Sequence, residues 1–503
     1  MLPARANPAD AGAFTPPMGA LIWPGTADAT TTVPTGPRPA TGGPRPVVDG
    51  KFLAVGGRRL WVRGATYGTF APGPDGEQFG PDWQVESDFE AMAASGINAV
   101  RTYTVPPHAV LDAALRHGLW VMVGLPWEQH VAFLEDRGRA RSIEERVREG
   151  VRACAGHPAV LCFTVGNEIP APIVRWHGGA RVERFLERLC RAVKEEDPSS
   201  LVTYVNFPST EYLRLPFVDL LCFNVYLERR ADLRSYLARL QNLAGEKPLV
   251  MAEIGLDSRR NGLATQAETL EWQIEASFES GCAGAFLFAW TDEWHRGGAE
   301  IGDWDFGLTD RERRPKPALE AAGRAFAEVP FAVDGLWPRV SVLVCTHNGA
   351  ATLGECLEGL GRLRYPDYEV IVVDDGSTDD SAAIARSHDV RLIRTENRGL
   401  SAARNTALEA ATGELVAYID DDARPDEDWL GYLALAMRGG DHAGVGGPNL
   451  PVPGDGLVAE AVANAPGGPV HVLLSDTVAE HLPGCNMAFR RDRLAAIGGF
   501  DAQ

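Results

Sequence analysis

Over most of the chain apolar residues fall in short continuous runs, with stretches of helical period between them. Eight such runs follow one another: LWVRGAT, NAVRTYT, LWVMVGL, AVLCFTVG, LVTYVN, DLLCFNVY, PLVMAE and AGAFLFAW. Segments such as VESDFEAMAAS, HAVLDAALRHG and VERFLERLCRAVKEE lie between them and repeat apolar residues every three or four positions. A strand that is apolar throughout is buried on both faces, as in a parallel sheet covered by helices. Eight βα units over residues 47–328 predict a closed (β/α)8 TIM barrel. A doubly wound open sheet is the alternative, because pattern alone does not prove closure. VVDGKFLAVGGRRLWVRG predicts a short hairpin leading into the first strand, and PKPALEAAGRAFAEVP the last barrel helix.

A second series starts at Pro338: RVSVLVCTHN, a helix through LGECLEGLGRL, YEVIVVDDGS, a helix through DDSAAIARSH, VRLIRTEN, a helix through LSAARNTALEAA, then LVAYIDDD. This predicts an open, Rossmann-like α/β sheet over 338–503. Residues 329–337 read as a linker. Residues 1–46, rich in Ala, Pro, Gly and Thr without a period, read as a flexible tail.

At 503 residues the chain is too long for one ordinary domain. Its net charge of -20 argues against nonspecific nucleic-acid binding and against an anionic membrane surface. The eight cysteines form no C-x-x-C pair, and Cys162, Cys222 and Cys345 sit inside apolar runs, as reduced thiols do. No secretory signal and no bilayer-length apolar run is visible, so a reducing, cytoplasmic setting is expected.

In a (β/α)8 barrel the chemistry sits where strands end. Glu168 follows the fourth strand and Glu253 ends the seventh, on opposite sides of the mouth. A retaining glycosidase needs such a pair, one carboxyl protonated and one ionised. With NE after strand four and E at the end of strand seven, the region 47–328 resembles the retaining glycosidases of this fold. DLLCFNVY, AGAFLFAWTDEW and FGLTDRERRPKPALEAAG make it most similar to the barrel of glycoside hydrolase family 2, the β-galactosidase and β-glucuronidase group. RGATYGTF, after the first strand, lacks the histidine usual there. The resemblance implies Glu168 as acid/base and Glu253 as nucleophile. It implies that Asn167 bonds the sugar 2-hydroxyl, that Tyr226 and Arg101 orient and ionise Glu253, and that Trp290 forms an apolar floor. Trp127, His130 and His295 either line the mouth or are structural.

SVLVCTHN, EVIVVDDGSTDDS, ENRGLSAARNTAL and AYIDDDARP occur in that order, and together they resemble the family 2 glycosyltransferases of the GT-A fold. The resemblance implies a nucleotide-sugar donor, expected as a UDP-sugar. Thr346 to Asn348 would border base and ribose, Asp374 and Asp375 would accept their hydrogen bonds, and Arg404 and Asn405 would fix the nucleotide. Asp420 and Asp422 form a D-x-D whose hard oxygens suit Mg²⁺ or Mn²⁺ on the diphosphate. HLPGCNMAFRRDRLAAIGGFD resembles the acceptor-proximal segment, and in that family the catalytic base lies further on. The chain is therefore expected to be a piece of a longer protein with an incomplete transferase domain, and membrane contact is expected only through the part beyond it.

Two functions fit. Either both modules are enzymes, the barrel a hydrolase or a transglycosidase acting on a β-glycan, or the barrel holds glycan and presents acceptor to the transferase.

Overall fold

The computed structural model describes residues 36–73, 76–332, 337–451, 456–463 and 472–502. All eight apolar runs contain strands: β1 (Val62–Thr66), β2 (Ala99–Arg101), β3 (Trp120–Gly124), β4 (Val160–Asn167), β5 (Leu201–Asn206), β6 (Leu221–Asn224), β7 (Leu249–Ile254) and β8 (Gly284–Leu287). Each pairs in parallel with the next, and β8 pairs with β1, so the barrel is closed and the open-sheet alternative is excluded.

Alternation along the strands sorts the side chains. Trp120, Met122, Cys162, Cys222 and Phe286 pack together inside the barrel, while Val121, Val123, Phe163 and Phe223 face the helices. The helix Gly179–Glu196 shows the matching period, burying Val182, Phe185, Leu186, Leu189, Cys190 and Val193. Gly64 has a steric reason. A Cβ there would lie 2.2 Å from the ring of Phe286, the largest side chain on β8 inside the barrel.

The predicted hairpin is a three-stranded antiparallel sheet of Val47–Asp49, Phe52–Val55 and Arg58–Leu60. Phe52, Leu53, Val55 and Leu60 join a core cluster that contains the first residues of several barrel strands, among them Val62, Ala99, Trp120 and Leu201. The hairpin thus plugs the N-terminal end of the barrel.

The expected tail needs correction in its last part. Residues 36–46 are seated on the barrel: Pro37, Pro39 and Pro46 are buried, Trp120 Nε1 donates to the Pro37 carbonyl at 3.2 Å, and Arg45 pairs with Asp197 at 2.8 Å. A Pro-rich stretch needs no internal hydrogen bonds, so it can line an apolar surface without forming a helix or strand. Residues 1–35 of that tail lie outside the described residues.

The second module is a six-stranded sheet built from β9 (Val340–Thr346), β10 (Tyr368–Asp375), β11 (Arg391–Thr395), β12 (Leu415–Asp420), β13 (Gly444–Gly446) and β14 (Met487–Arg490). Its order is β11-β10-β9-β12-β14-β13, with the first four parallel and the β12–β14 and β14–β13 pairs antiparallel. Of the expected linker 329–337, residues 333–336 lie outside the described residues, and the rings of Phe331 and Trp337 on either side pack together at 5.3 Å.

The helix Trp429–Arg438 of this module docks on the barrel's hairpin end. Tyr432 stacks on Phe52 at 6.2 Å, and its hydroxyl donates to the Phe278 carbonyl at 3.4 Å. Arg59 of the hairpin reaches Asp426 at 2.6 Å. All eight cysteines are free thiols. Among the described residues no helix is long and apolar enough to cross a membrane.

Substituting Gly64→Ala forces a methyl into the Phe286 ring. The expected loss is about 1–3 kcal/mol, the usual range for overpacking, and it is read as a lower denaturant midpoint for the barrel transition. A midpoint equal to wild type would show that the ring yields freely.

Candidate active sites

Arg101 organises the upper end of the barrel. It ends β2 and is 1% exposed. Its Nη1 donates to Glu253 Oε1 at 2.9 Å, to the Ala252 carbonyl at 2.8 Å and to Asn224 Oδ1 at 3.2 Å. Nη2 donates to Asn167 Oδ1 at 2.7 Å. One guanidinium therefore ties together the ends of β2, β4, β6 and β7, and its planar fork suits several acceptors at once.

Glu253 also accepts from Tyr103 at 2.7 Å on Oε1 and from Tyr226 at 2.6 Å on Oε2. Three donors on one buried carboxylate fix its orientation. Tyr226 is 40% exposed, with its ring at the mouth and its hydroxyl turned in on Glu253. Burial of that hydroxyl, and then the Glu253 charge, push it well above the ordinary phenol range. Tyr103 behaves in the same way.

Glu168 lies across the site. Asn224 Nδ2 donates to its Oε1 at 2.8 Å and to Asn167 Oδ1 at 3.1 Å. Burial raises the Glu168 carboxyl above its ordinary value, and the Glu253 charge raises it further. One carboxyl is thus fixed in orientation by three donors, while the other is pushed toward its acid form. Glu168 has φ 52°, in the left-handed region that non-glycine residues seldom occupy. The β4 register shifts between Thr164 and Asn167 just before it. Gln129 braces the turn from both sides, accepting from Asn167 N at 2.9 Å and donating to the Asn167 carbonyl.

Of the residues expected here, Arg101, Asn167, Glu168, Tyr226 and Glu253 come together. Trp290 does not serve as an open floor. It is 1% exposed and packed in the core between barrel and helices, so it offers a sugar no face. The half-buried rings near the site include Trp294, Trp304 and Phe306. Trp294 packs edge-on to Tyr103 at 5.2 Å, and Phe288 stacks on Trp304 at 5.8 Å. Trp127 is structural, donating to the Val165 carbonyl and packing on Phe133 and Phe185. His295 sits on a small hairpin beside Thr69, and His130 lies 3.5 Å from Arg296. Tyr103, Asn224 and Gln129 were not anticipated. Two carried a signal, since each lies two positions from an expected residue, Arg101 or Tyr226, and so falls on the same face of an extended chain.

In the second module the expected residues gather at the C-terminal edge of the parallel strands, but several are occupied by the fold. Asp374 is fully buried and accepts from Ser377 N at 2.8 Å and Arg394 Nε at 2.8 Å. Asp375 accepts from Gly399 N at 2.8 Å, Arg398 N at 3.0 Å and Thr395 Oγ1 at 3.0 Å, at the start of the helix Leu400–Ala410. Both therefore depart from the expected role as open acceptors for base and ribose, because a buried carboxylate must be satisfied where it lies. Asn405 likewise holds Phe500, donating to its carbonyl and accepting from its N–H, both at 2.8 Å. Asn348, at φ 57°, accepts from Thr378 N at 2.9 Å and so ties the β9 and β10 loops.

Thr346 donates to Asp421, the middle residue of the D-x-D, through a short hydrogen bond. Asp420 is half-buried 3.5 Å from Arg404, and Asp422 is exposed. Burial raises the Asp420 carboxyl against the pull of Arg404, and the charges of Asp422 and Asp421 add to the rise. Among the described residues no group of three or more His, Cys, Asp or Glu side chains converges as a metal site. Asp420 and Asp422 carry hard carboxylate oxygens, the donor type that Mg²⁺ and Mn²⁺ take.

Comparison with known proteins matches each module separately. Residues 47–295 match the family described as "Glycosyl hydrolases family 2, TIM barrel domain", and residues 341–498 match "Glycosyl transferase family 2". Among curated relatives, Glycosyltransferase AglE of Haloferax volcanii is 36% identical over 133 residues, covering 24% of this chain and 43% of that protein. Glucosyl-dolichyl phosphate glucuronosyltransferase of the same organism is 30% identical over 179 residues, covering 32% and 56%. The chain thus spans only part of the relatives it matches. A solved GH2 β-galacturonidase from Eisenbergiella tayi has TM-score 0.49 and 17% identity, covering 56% of this chain and 54% of that one.

The pH sign at Glu168 gives a test. Its folded-state pKa is raised, so the folded protein binds this proton more tightly than the unfolded chain. Stability from this group is therefore present at low pH and is lost as pH climbs through the unfolded and then the folded value. Glu168→Gln is expected to melt higher than wild type at pH 7, with the difference vanishing below the ordinary carboxylate range. A variant less stable at pH 7 would show that Glu168 is stabilised as an anion.

Proposed function

We propose that this chain, which joins a glycosyl hydrolase family 2 barrel domain to a glycosyl transferase family 2 domain, is a bifunctional carbohydrate-active enzyme that builds and remodels glycans. The observation that carries the barrel's part is the differentiation of its two carboxyls, one fixed by three donors and one raised by burial.

In this reading the barrel works by retention. Glu253, held by Arg101, Tyr103 and Tyr226, attacks the anomeric carbon of a β-glycoside. Glu168 gives its proton to the leaving glycosidic oxygen, then takes one from water or from a sugar hydroxyl as the glycosyl-enzyme is resolved. Water as acceptor makes hydrolysis and a second sugar makes transglycosylation. Asn167, whose Oδ1 is already occupied by Arg101 and Asn224, keeps its amide N–H groups for the substrate's 2-hydroxyl. Asn224 holds Glu168 in reach, and the rings of Trp294 and Trp304 offer apolar surface to the sugar.

The second domain transfers a sugar from a nucleotide-sugar to a glycan acceptor. Asp420 and Asp422 would hold Mg²⁺ or Mn²⁺, which supplies neutralisation of the charge on the leaving nucleotide diphosphate. Arg404, between Asp420 and the Gly484 carbonyl, adds fixed positive charge at that edge. Thr346 keeps Asp421 turned toward β9 and away from the donor face.

The barrel is tested with aryl β-glycosides and the Glu253→Ala and Glu168→Gln variants. Glu253→Ala is expected to abolish turnover. Glu168→Gln is expected to lose on the order of 10²–10⁴-fold on substrates with poor leaving groups, and far less on dinitrophenyl glycosides, whose leaving group needs no proton. Activity surviving in Glu253→Ala would remove the nucleophile. A barrel that turns over nothing on a broad panel, yet binds glycan equally well as Glu168→Gln, would instead be an acceptor-holding module.

A separate experiment tests the transferase. Asp422→Asn is expected to abolish Mn²⁺-dependent binding of a UDP-sugar panel while aryl glycoside hydrolysis continues. Loss of binding and hydrolysis together would point to misfolding.

A further inference from the structure

The acidic loop of the transferase domain is anchored from outside that domain. DDDARPDED, residues Asp420–Asp428, carries six acidic side chains in nine positions. The loop's front holds Asp420 and Asp422. Its back is Asp426, Glu427 and Asp428, closing onto the helix Trp429–Arg438. Asp426 Oδ1 accepts from Asp428 N at 3.0 Å, and the Asp426 carbonyl accepts from Trp429 N at 3.0 Å, which makes the last turn before the helix. The second carboxylate oxygen, Oδ2, accepts from Nη2 of Arg59 at 2.6 Å.

Arg59 belongs to the barrel's hairpin. Its side chain is 7% exposed and lies over the Phe52 ring at 4.1 Å and the Trp61 ring at 5.5 Å. Its Nε and Nη1 are buried and make no hydrogen bond among the described residues, so Asp426 is its hydrogen-bond acceptor. A cation this enclosed, lying over two barrel rings, is held by the barrel's hairpin. The mate of Phe52 across the interface is Tyr432, one turn into the same helix.

The tether from this anchor to the cation ligands is short. Only Ala423, Arg424 and Pro425 separate Asp422 from Asp426. Proline fixes one of their backbone angles, and the Pro425 ring lies against Gly359, where an added Cβ would meet it at 2.8 Å. Ala423 N donates to the Asp420 carbonyl at 3.1 Å, so the front of the loop is a turn as well. A shift of Asp426 therefore passes to Asp422 with little slack. Arg59 also offsets charge behind the loop. With Arg364, which pairs with Asp428, it lowers the repulsion that six crowded acids would put on the two that face the donor.

We infer that Arg59 is a positioning residue for the transferase site: the barrel's hairpin, by its ion pair with Asp426, fixes Asp420 and Asp422 in the arrangement that accepts a divalent cation with a nucleoside diphosphate. The barrel is thus a working part of the transferase, independently of its own catalysis. The inference rests on the nucleotide-sugar reading of the second domain.

The full chain is titrated calorimetrically with UDP, GDP and dTDP in the presence of Mn²⁺, and the tightest binder is then compared across Arg59→Met, Arg59→Lys and Asp426→Asn. Methionine keeps the apolar packing on Phe52 and Trp61, and lysine keeps the charge. The expected result is a loss of about tenfold in affinity for Arg59→Met and Asp426→Asn, within the usual range of site-to-site coupling, with recovery in Arg59→Lys. Melting temperature and aryl glycoside turnover of Arg59→Met should stay near wild type. Affinity unchanged in Arg59→Met, or lowered equally in Met and Lys, would overturn the inference and leave Arg59 as interface packing. If wild type binds no nucleoside diphosphate with Mn²⁺, the nucleotide-sugar reading itself falls, and this inference with it.

Discussion

One buried guanidinium sets the chemistry of the barrel. Arg101 donates to Asn167, Asn224, the Ala252 carbonyl and Glu253, so four strand ends are joined by a single planar cation. A charge with 1% exposure is tolerable only when its acceptors are in place. The requirement runs the other way too, because those acceptors are the side chains that would meet a sugar. Removing Arg101 would leave a buried Glu253 held by two phenols and Asn167 Oδ1 held by Asn224 alone. The closed barrel makes this possible, since register across eight parallel strands fixes where each end residue stands.

The two modules use opposite ends of the barrel. The carboxylates sit at the C-terminal ends of β4 and β7, while the transferase domain rests on the hairpin that plugs the N-terminal end. Contact between the modules includes the Phe52–Tyr432 and Phe331–Tyr432 ring pairs, the Tyr432 hydroxyl on the Phe278 carbonyl, the Arg59–Asp426 pair and Asn242 on Asp476.

The fold was legible because its signal is local. Eight apolar runs at βα spacing became eight strands, and Glu168 and Glu253 stood at strand ends by counting alone. Arg101 and Tyr226 were legible by resemblance, while their neighbours Tyr103 and Asn224 follow from the two-residue period of extended chain. What the sequence hid depends on long-range packing. Trp290 is an apolar floor by resemblance only, and it is packed in the core. Asp374 and Asp375 read as open acceptors, but residues far along the chain, Arg394 and the Arg398–Gly399 amides, claim their oxygens. Arg59 pairs with a residue 367 positions away, and no local pattern announces that.

The most direct test of the central claim is to trap the covalent intermediate. The full chain is incubated with a panel of 2-deoxy-2-fluoro-β-glycosyl fluorides, digested, and its peptides are read by mass spectrometry. Glu253 as the nucleophile that Arg101 holds predicts one glycosyl adduct, on the peptide carrying residue 253, and none in a Glu253→Gln control. An adduct on any other residue, with Glu253 unmodified, would contradict it.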